Sequence, residues 1–299
     1  VSFTLRQLEL FTALTEFNTL SAAAAHLHIS ESALSHALTE LEKTAGEPLL
    51  VRRKARGYVL TPAGEYFAER AQELLKNAAE LGDALSNRKG ELRGPVALGC
   101  FTGLGPTVLP PLFEHFSRHH PEVQLQVSLG TQDEIVTQLH QRNIDAAFLY
   151  DIDLPPGLRQ EPLYETEVVA VLPEGHRLAE RQAVALEDLV AEPLIMLDSI
   201  PSTPHTHRIF RELGLTPSVL AALPSIEMVR GLVARGLGYS LLMARPYSTV
   251  TTEDGRKVLA RPLKPRSGVT NTVAAWPQEY ALTARARAVI DHGIAEFGA

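Results

Sequence analysis

Thr19-Leu20-Ser21-Ala22-Ala23-Ala24-Ala25-His26-Leu27-His28-Ile29-Ser30-Glu31-Ser32-Ala33-Leu34-Ser35-His36-Ala37-Leu38-Thr39-Glu40-Leu41 is the stretch on which the fold turns. Thr19 to Leu27 reads as a short helix with Ser21 as its N-cap, and Ala22 to Ala25 are small enough to let another helix cross closely. His28, Ile29 and Ser30 make a tight connection to a third helix running from Glu31 to about Ala45. Two short helices joined by so short a turn form a helix-turn-helix. The third helix hides Leu34, Leu38 and Leu41 and shows Ser32, Ser35, His36 and Thr39 on the other side. A major groove about 12 Å wide accepts one such helix, with residues near its N-terminus reaching base edges.

Before this stretch, Leu5, Leu8, Phe11 and Leu14 recur every three residues, giving an amphipathic first helix over Leu5 to Phe17. Beyond Gly46, Pro48 to Val51 and Tyr58 to Leu60 read as two short strands around a turn at Gly57, flanking the basic cluster Arg52, Arg53, Lys54 and Arg56. This is a wing whose cations suit phosphates or the minor groove. The reading set for DNA is therefore Ser21, Ser30, Glu31, Ser32, Ser35, His36 and Thr39 with those four wing cations. Glu31 repels phosphate but can accept a hydrogen bond from cytosine N4.

Thr61-Pro62-Ala63-Gly64 opens the next helix with a cap residue followed by proline. Phe67, Ala71, Leu74, Ala78, Leu81 and Leu85 alternate steps of four and three, the a/d seam of a coiled coil, as far as Lys89-Gly90. That seam is read as a dimerisation helix.

The whole chain carries a net charge of −7 over 299 residues, which by itself argues against nucleic acid, but the wing holds one dense basic cluster while the long C-terminal portion carries much of the acidic excess. The hydrophobic content of 45% and a mean hydropathy of −0.01 suit large buried cores. No apolar run approaches the ~20 residues of a membrane span and no signal-peptide core opens the sequence, so the expected compartment is the cytoplasm. The single Cys100 rules out an intrachain disulfide switch within this sequence.

Glu91-Leu92-Arg93-Gly94-Pro95 reads as a hinge before the apolar strand Val96 to Gly99. Further strands (Val123 to Val127, Ala146 to Leu149, Val168 to Leu172, Leu194 to Leu197, Tyr239 to Leu242) alternate with helices about Leu109 to Phe116, Glu134 to Gln141, His207 to Leu213 and Glu227 to Arg235. The pattern implies an α/β fold with mixed sheets covered by helices. Ligands in such folds bind outside the carboxyl ends of the strands. That rule nominates Cys100, Thr102 and Gly103, then Thr131, then Tyr150, then Ser199, Ser202 and Thr203, and finally Ser225, as a site for a polar small molecule.

Leu5-Arg6-Gln7-Leu8, the Ala-rich segment, Ser30 to Leu38 with Leu41-Glu42, Gly46, and Leu60 to Gly64 together resemble the LysR-type transcriptional regulators. The family's usual Gln-Pro pair at the start of the recognition helix is Glu31-Ser32 here, and its common Arg after the Ser is His36. The resemblance extends through Leu109-Pro110, Phe116, Pro121, Gly130, Asp145-Ala146-Ala147, Leu172-Pro173, His176 to Ala179, Asp188-Leu189, Glu192 to Ile195 and Val233 to Gly238. It implies a winged helix-turn-helix over 1–62, a linker and dimerisation helix over 63–90, and a two-lobed, periplasmic-binding-protein-like effector domain over 91–299. The implied second lobe is 168–264, with crossovers near Leu163 to Glu167 and from Pro262 onward. The implied partners are double-stranded operator DNA, a polar effector, further copies of the chain as a dimer or tetramer, and RNA polymerase.

Other readings weigh less. Cys100 has no Lys, Arg or His adjacent in sequence to lower its pKa. His115, His119 and His120 lack a convincing further ligand for zinc, so no metal is expected. Gly99 to Gly105 lacks both the Walker lysine and the G-x-G-x-x-G spacing, and no Ser-His-Asp signature is present, so neither a cofactor nor catalysis is expected. The alternatives are a binding protein without DNA activity and an enzyme built on the C-terminal α/β half.

Overall fold

The computed structural model describes residues 3–17, 19–53, 57–86, 92–244 and 247–298. The chain forms two compact units, 1–91 and 92–299.

In the first unit, α1 (Leu5–Glu16), α2 (Leu20–His26) and α3 (Glu31–Ala45) precede a hairpin of β1 (Leu50–Arg53) and β2 (Gly57–Leu60), followed by α4 (Pro62–Ser86). Local chemistry sets the boundaries. Thr4 and Gln7 cap α1 reciprocally, Thr19 caps α2 by accepting from the Ala22 amide, and Ser30 caps α3 by accepting from Ala33 at 3.2 Å. Gly46, in the left-handed region at φ 84°, ends α3. Ser21, read above as a cap, lies inside α2 instead; the hydroxyl that reaches the first free amides is that of Thr19, two residues earlier. Phe11, Leu34, Leu38, Leu41 and Leu49 form the centre of the core. Full burial of each Leu stabilises by about 1.5–3 kcal/mol.

The second unit opens with β3 (Gly94–Phe101), so Gly94 and Pro95 belong to a strand and not to a free hinge; Glu91 of that expected hinge lies outside the described residues. Then come α5 (Gly105–His119), β4 (Val123–Gly130), α6 (Gln132–His140), β5 (Ala146–Tyr150) and the 16-residue β6 (Leu158–Pro173). They are followed by β7 (Pro193–Leu197), α7 (Ser202–Glu212), β8 (Ser218–Leu223), α8 (Ile226–Ala234) and β9 (Ser240–Ala244). The remainder is β10 (Thr249–Thr251), β11 (Lys257–Pro262), β12 (Thr270–Pro277) and α9 (Ala284–Phe297).

Strand β3 pairs in parallel with β4 and β5, and β12 pairs antiparallel with β5 and with residues 158–166 of β6. From Glu167 onward β6 leaves that sheet and pairs with β9 and β11. One continuous strand thus carries the chain from the first lobe into the second, and the segment between Pro262 and Thr270 carries it back. The pleat of β6 serves two cores: Val168, Ala170 and Leu172 pack with Ile209 and Phe210 of α7, whereas Val169 and Val171 pack with Val229 and Val233 of α8. In the first lobe, Leu98, Cys100, Leu112, Phe116, Phe148 and Ile290 share a single core.

Candidate DNA-reading face and inter-lobe cleft

Helix α3 is fixed from beneath and open above. Leu34 and Leu41 are fully buried and Leu38 nearly so, while Glu31, Ser32, Ser35, His36 and Thr39 are exposed. Ser30 Oγ lies 3.0 Å from Ser32 Oγ, so the cap and the first turn share a hydroxyl pair. Thr39 Oγ1 donates to the Ser35 carbonyl at 2.9 Å, which spends its proton inside the helix and leaves lone pairs outward. The wing is tied to the same helix by Glu42, whose Oε1 accepts from the amides of Leu49 at 2.8 Å and Leu50 at 3.0 Å. Arg52 and Arg53 lie on β1, opposite Tyr58 and Gly57, and not in the turn as expected, because the hairpin ladder runs on through them. Their side chains, and Lys54 and Arg56 altogether, lie outside the described residues.

The seam of α4 divides in two. Phe67 packs edge-on against Phe3 at 5.6 Å and Phe11 at 5.3 Å but stays half-buried, whereas Ala71 is 2% exposed and is covered by its own unit, which corrects the reading of Ala71 as a dimer contact. Leu74 and Leu81 are 47% and 68% exposed, and Ala78 is half-buried. The side chain of Leu85 lies outside the described residues. Leu74 borders a groove of about 660 Å³ that Phe3, Tyr66, Phe67 and Ala71 also line.

In the second unit the nominated loops meet unequally. Thr102 is exposed at the end of β3, and its amide and hydroxyl both donate to the Gly130 carbonyl, at 3.0 and 3.1 Å. The amide of Thr131 donates to Glu134 at 2.8 Å at the start of α6. Across the gap, Thr203 Oγ1 donates to the Leu197 carbonyl and accepts from the Ser199 amide, so it is committed locally, whereas Ser199 Oγ is buried without a partner among the described residues. Ser202 stands half-buried at the first position of α7, and Gly103 is half-buried against the Phe101 ring. Ser225 is the N-cap of α8, accepting from Met228.

Two nominated residues are core residues instead. Cys100 is fully buried, its sulfur 3.4 Å from the Phe101 carbonyl, and burial pushes its thiol up to about 12. Tyr150 is 4% exposed beside Phe101, and burial raises its phenol well above the usual range. Both sit on strands whose inward faces close the first-lobe core.

Residues absent from the sequence reading join the lobes. The amide of Gln132 meets the Ile200 carbonyl at 3.4 Å, and its side chain straps α6 to the end of β5 through the Tyr150 amide and the Ile152 carbonyl. Arg208 of α7 pairs with Asp153 at 2.9 Å. His205, one turn before Arg208, stands over Gly268, where a β-carbon would come within 2.5 Å of its Nε2, and both its ring nitrogens are buried and without a partner among the described residues. Burial, with Arg208 nearby, lowers its pKa. The facing loop ends therefore offer mainly hydroxyls, from Thr102, Ser199 and Ser202, which is chemistry suited to holding a polar molecule.

A winged helix-turn-helix beside a two-lobed binding unit defines a ligand-responsive DNA-binding regulator. Residues 5–65 match the bacterial regulatory helix-turn-helix protein model of the lysR family, and residues 89–297 match the LysR substrate binding domain. The chain belongs to the LysR family of DNA-binding transcriptional regulators controlled by small-molecule effectors. It is 30% identical over 292 residues to the uncharacterized HTH-type transcriptional regulator YnfL of Escherichia coli (strain K12), covering 95% of each chain. It is 26% identical over 252 residues to the dual regulator OxyR of the same strain, covering 84% of this chain and 82% of that one. The crystal structure of HinK, a LysR family regulator from Pseudomonas aeruginosa, matches with a TM-score of 0.65 at 38% identity over 99% of both chains.

Proposed function

We propose that this regulator discriminates its operator with Ser32, Ser35 and His36 of α3, supported by Glu31 and Thr39, while Ser30 and the wing cations Arg52, Arg53, Lys54 and Arg56 hold the DNA backbone. The observation that carries this reading is the split of α3 into a buried leucine stripe and a continuous exposed polar face that begins at its capped N-terminus. Leu74 and Leu81 of α4, with Ala78 and Leu85, meet a second copy of the chain. RNA polymerase is the partner to which the DNA-bound assembly relays its signal, and the compartment is the cytoplasm. The 1–62, 63–90 and 91–299 division, with 168–264 as second lobe, is the functional division in this reading.

The effector in this reading is a polar small molecule held between the lobes by Thr102, Thr131, Ser199 and Ser202, with Gly103, Thr203 and Ser225 shaping the loops. The orphaned hydroxyl of Ser199 and imidazole of His205 support that placement, since buried polar groups ordinarily find a partner. Cys100 has no part in it: oxidation by peroxide proceeds through the thiolate, and a thiol buried and raised to about 12 supplies almost none near neutrality.

A salt-dependent mobility-shift titration tests the DNA reading. Arg53→Ala is expected to weaken binding on every duplex and flatten the salt slope by about one counterion. Unchanged affinity and slope would remove Arg53 from the phosphate contacts.

A further inference from the structure

Four imidazoles meet where α5 packs against α9, in a cluster with no role in DNA reading or in the cleft. His115 is stacked between His292 of α9, with centroids 3.6 Å apart and planes 17° apart, and His119 one turn on, at 4.5 Å and 27°. His120 lies 5.9 Å from His115, and Phe116 meets the same ring edge-on at 5.3 Å. His119 Nδ1 is 3.0 Å from the His115 carbonyl, which holds its ring on the stack. The rings of His292, His115 and His119 lie face to face, with His120 tilted beside them, and among the described residues no three His, Cys, Asp or Glu side chains are placed to hold a metal.

We propose that His115, His119, His120 and His292 form a proton-responsive seam, which when neutral holds α5 against α9 and when protonated loosens the first lobe. Neutral imidazoles stack favourably, but two cations at 3.6 to 4.5 Å repel each other, and His115 is the ring that every other member touches. Among the described residues, most carboxylates on the neighbouring elements are paired with arginines. On α5, Glu114 is paired with Arg118 at 2.7 Å; on α9, Asp291 pairs with Arg287, which also binds Glu161 of β6. At the strand ends, Glu122 is held by Arg93 at 2.7 Å, and Arg285 of α9 donates to the Pro95 carbonyl of β3. Glu296 of α9 is the carboxylate that acts on His115 in favour of the proton, and burial together with His292, His119 and His120 outweighs it, so the His115 pKa is lowered. A lowered folded-state value means that the folded lobe binds fewer protons than the unfolded chain. The stability contributed by the stack is then present above the ordinary histidine range and is lost as pH falls through the lowered value.

The test follows the full chain by thermal unfolding between pH 7 and pH 5, beside His115→Phe, which keeps an aromatic ring in the stack and cannot take a proton, and by NMR titration of the histidine ring protons of the wild type. The expected result is a fall in the melting temperature of the 92–299 unit on acidification, at least halved in His115→Phe, and a His115 resonance that titrates below the ordinary histidine value. Equal pH dependence in a folded His115→Phe would overturn the proposal. So would a His115 titration at or above the ordinary value, which needs no variant to fold, or a saturable rise in melting temperature with added Zn²⁺ that His115→Phe abolishes.

Discussion

The α-carbon of Gly64 faces the Leu49 carbonyl so closely that a β-carbon there would stand 2.0 Å from that oxygen. Gly64 lies in the first turn of α4, and Leu49 precedes the wing strand that Glu42 ties to α3, so this contact fixes the linker helix, the wing and the reading helix in one arrangement. Gly64→Ala forces the backbone apart. Overpacking of this kind costs typically about 1–3 kcal/mol, and more where backbone must shift. Thermal unfolding of the 1–91 unit is expected to show that loss, with weakened binding on all DNA sequences alike.

Glu42→Gln tests the tie itself. The carboxylate accepts two amides from a half-buried position, and hydrogen bonds to charged groups contribute about 1.5–3 kcal/mol. The neutral amide is expected to retain part of that and Glu42→Ala less, read as successive falls in unfolding midpoint. Equal stability of all three proteins would leave the wing held by its packing alone.

Cys100 is expected to be inert in the native protein. Since its thiol is raised to about 12, thiolate-specific labelling at pH 8 should proceed only as fast as the first lobe opens, and peroxide treatment should leave DNA affinity unchanged. Rapid stoichiometric labelling under native conditions would show that the sulfur is reachable from solvent.

Thr102→Val, combined with Ser202→Ala, is expected to weaken a bound polar effector by about 0.5–1.5 kcal/mol for each neutral hydrogen bond removed, while basal DNA binding survives. The effector-induced change in operator affinity should shrink with the affinity loss, because a ligand shifts a conformational equilibrium only by its differential affinity. A full effector response in the double variant would place the ligand elsewhere.

What was readable in the sequence was local. The α3 helix, Glu31–Ala45, follows from a leucine stripe with a Ser cap and a Gly stop, all within sixteen residues of one another. The sequence does not single out the cap of α2, because Thr19 and Ser21 carry the same chemistry and only geometry selects between them. Periodicity shows that Phe67 and Ala71 face an apolar surface but not whose, and for Phe67 part of it is supplied by Phe3 and Phe11. Strand β12, Thr-Asn-Thr-Val-Ala-Ala-Trp-Pro, escaped because it is covered on both faces and lacks a clean alternation, and the Ala- and Arg-rich α9 gave no strong stripe. The cleft was legible only as loops at strand ends. Its links depend on partners far apart in sequence: Gln132 with Tyr150, and Arg208 with Asp153, 55 positions away.

On the function proposed above, the exposed face of α3 reads base sequence. Selection of bound duplexes from a randomised pool by the wild type, and by a Ser35→Ala, His36→Ala double variant, tests it most directly. The wild type should enrich one consensus, and the variant should relax or change the positions nearest the α3 N-terminus while keeping half-site spacing and salt dependence, since base contacts specify and phosphate contacts position. Recovery of the same consensus, with the same stringency, from the variant would show that Ser35 and His36 do not read bases.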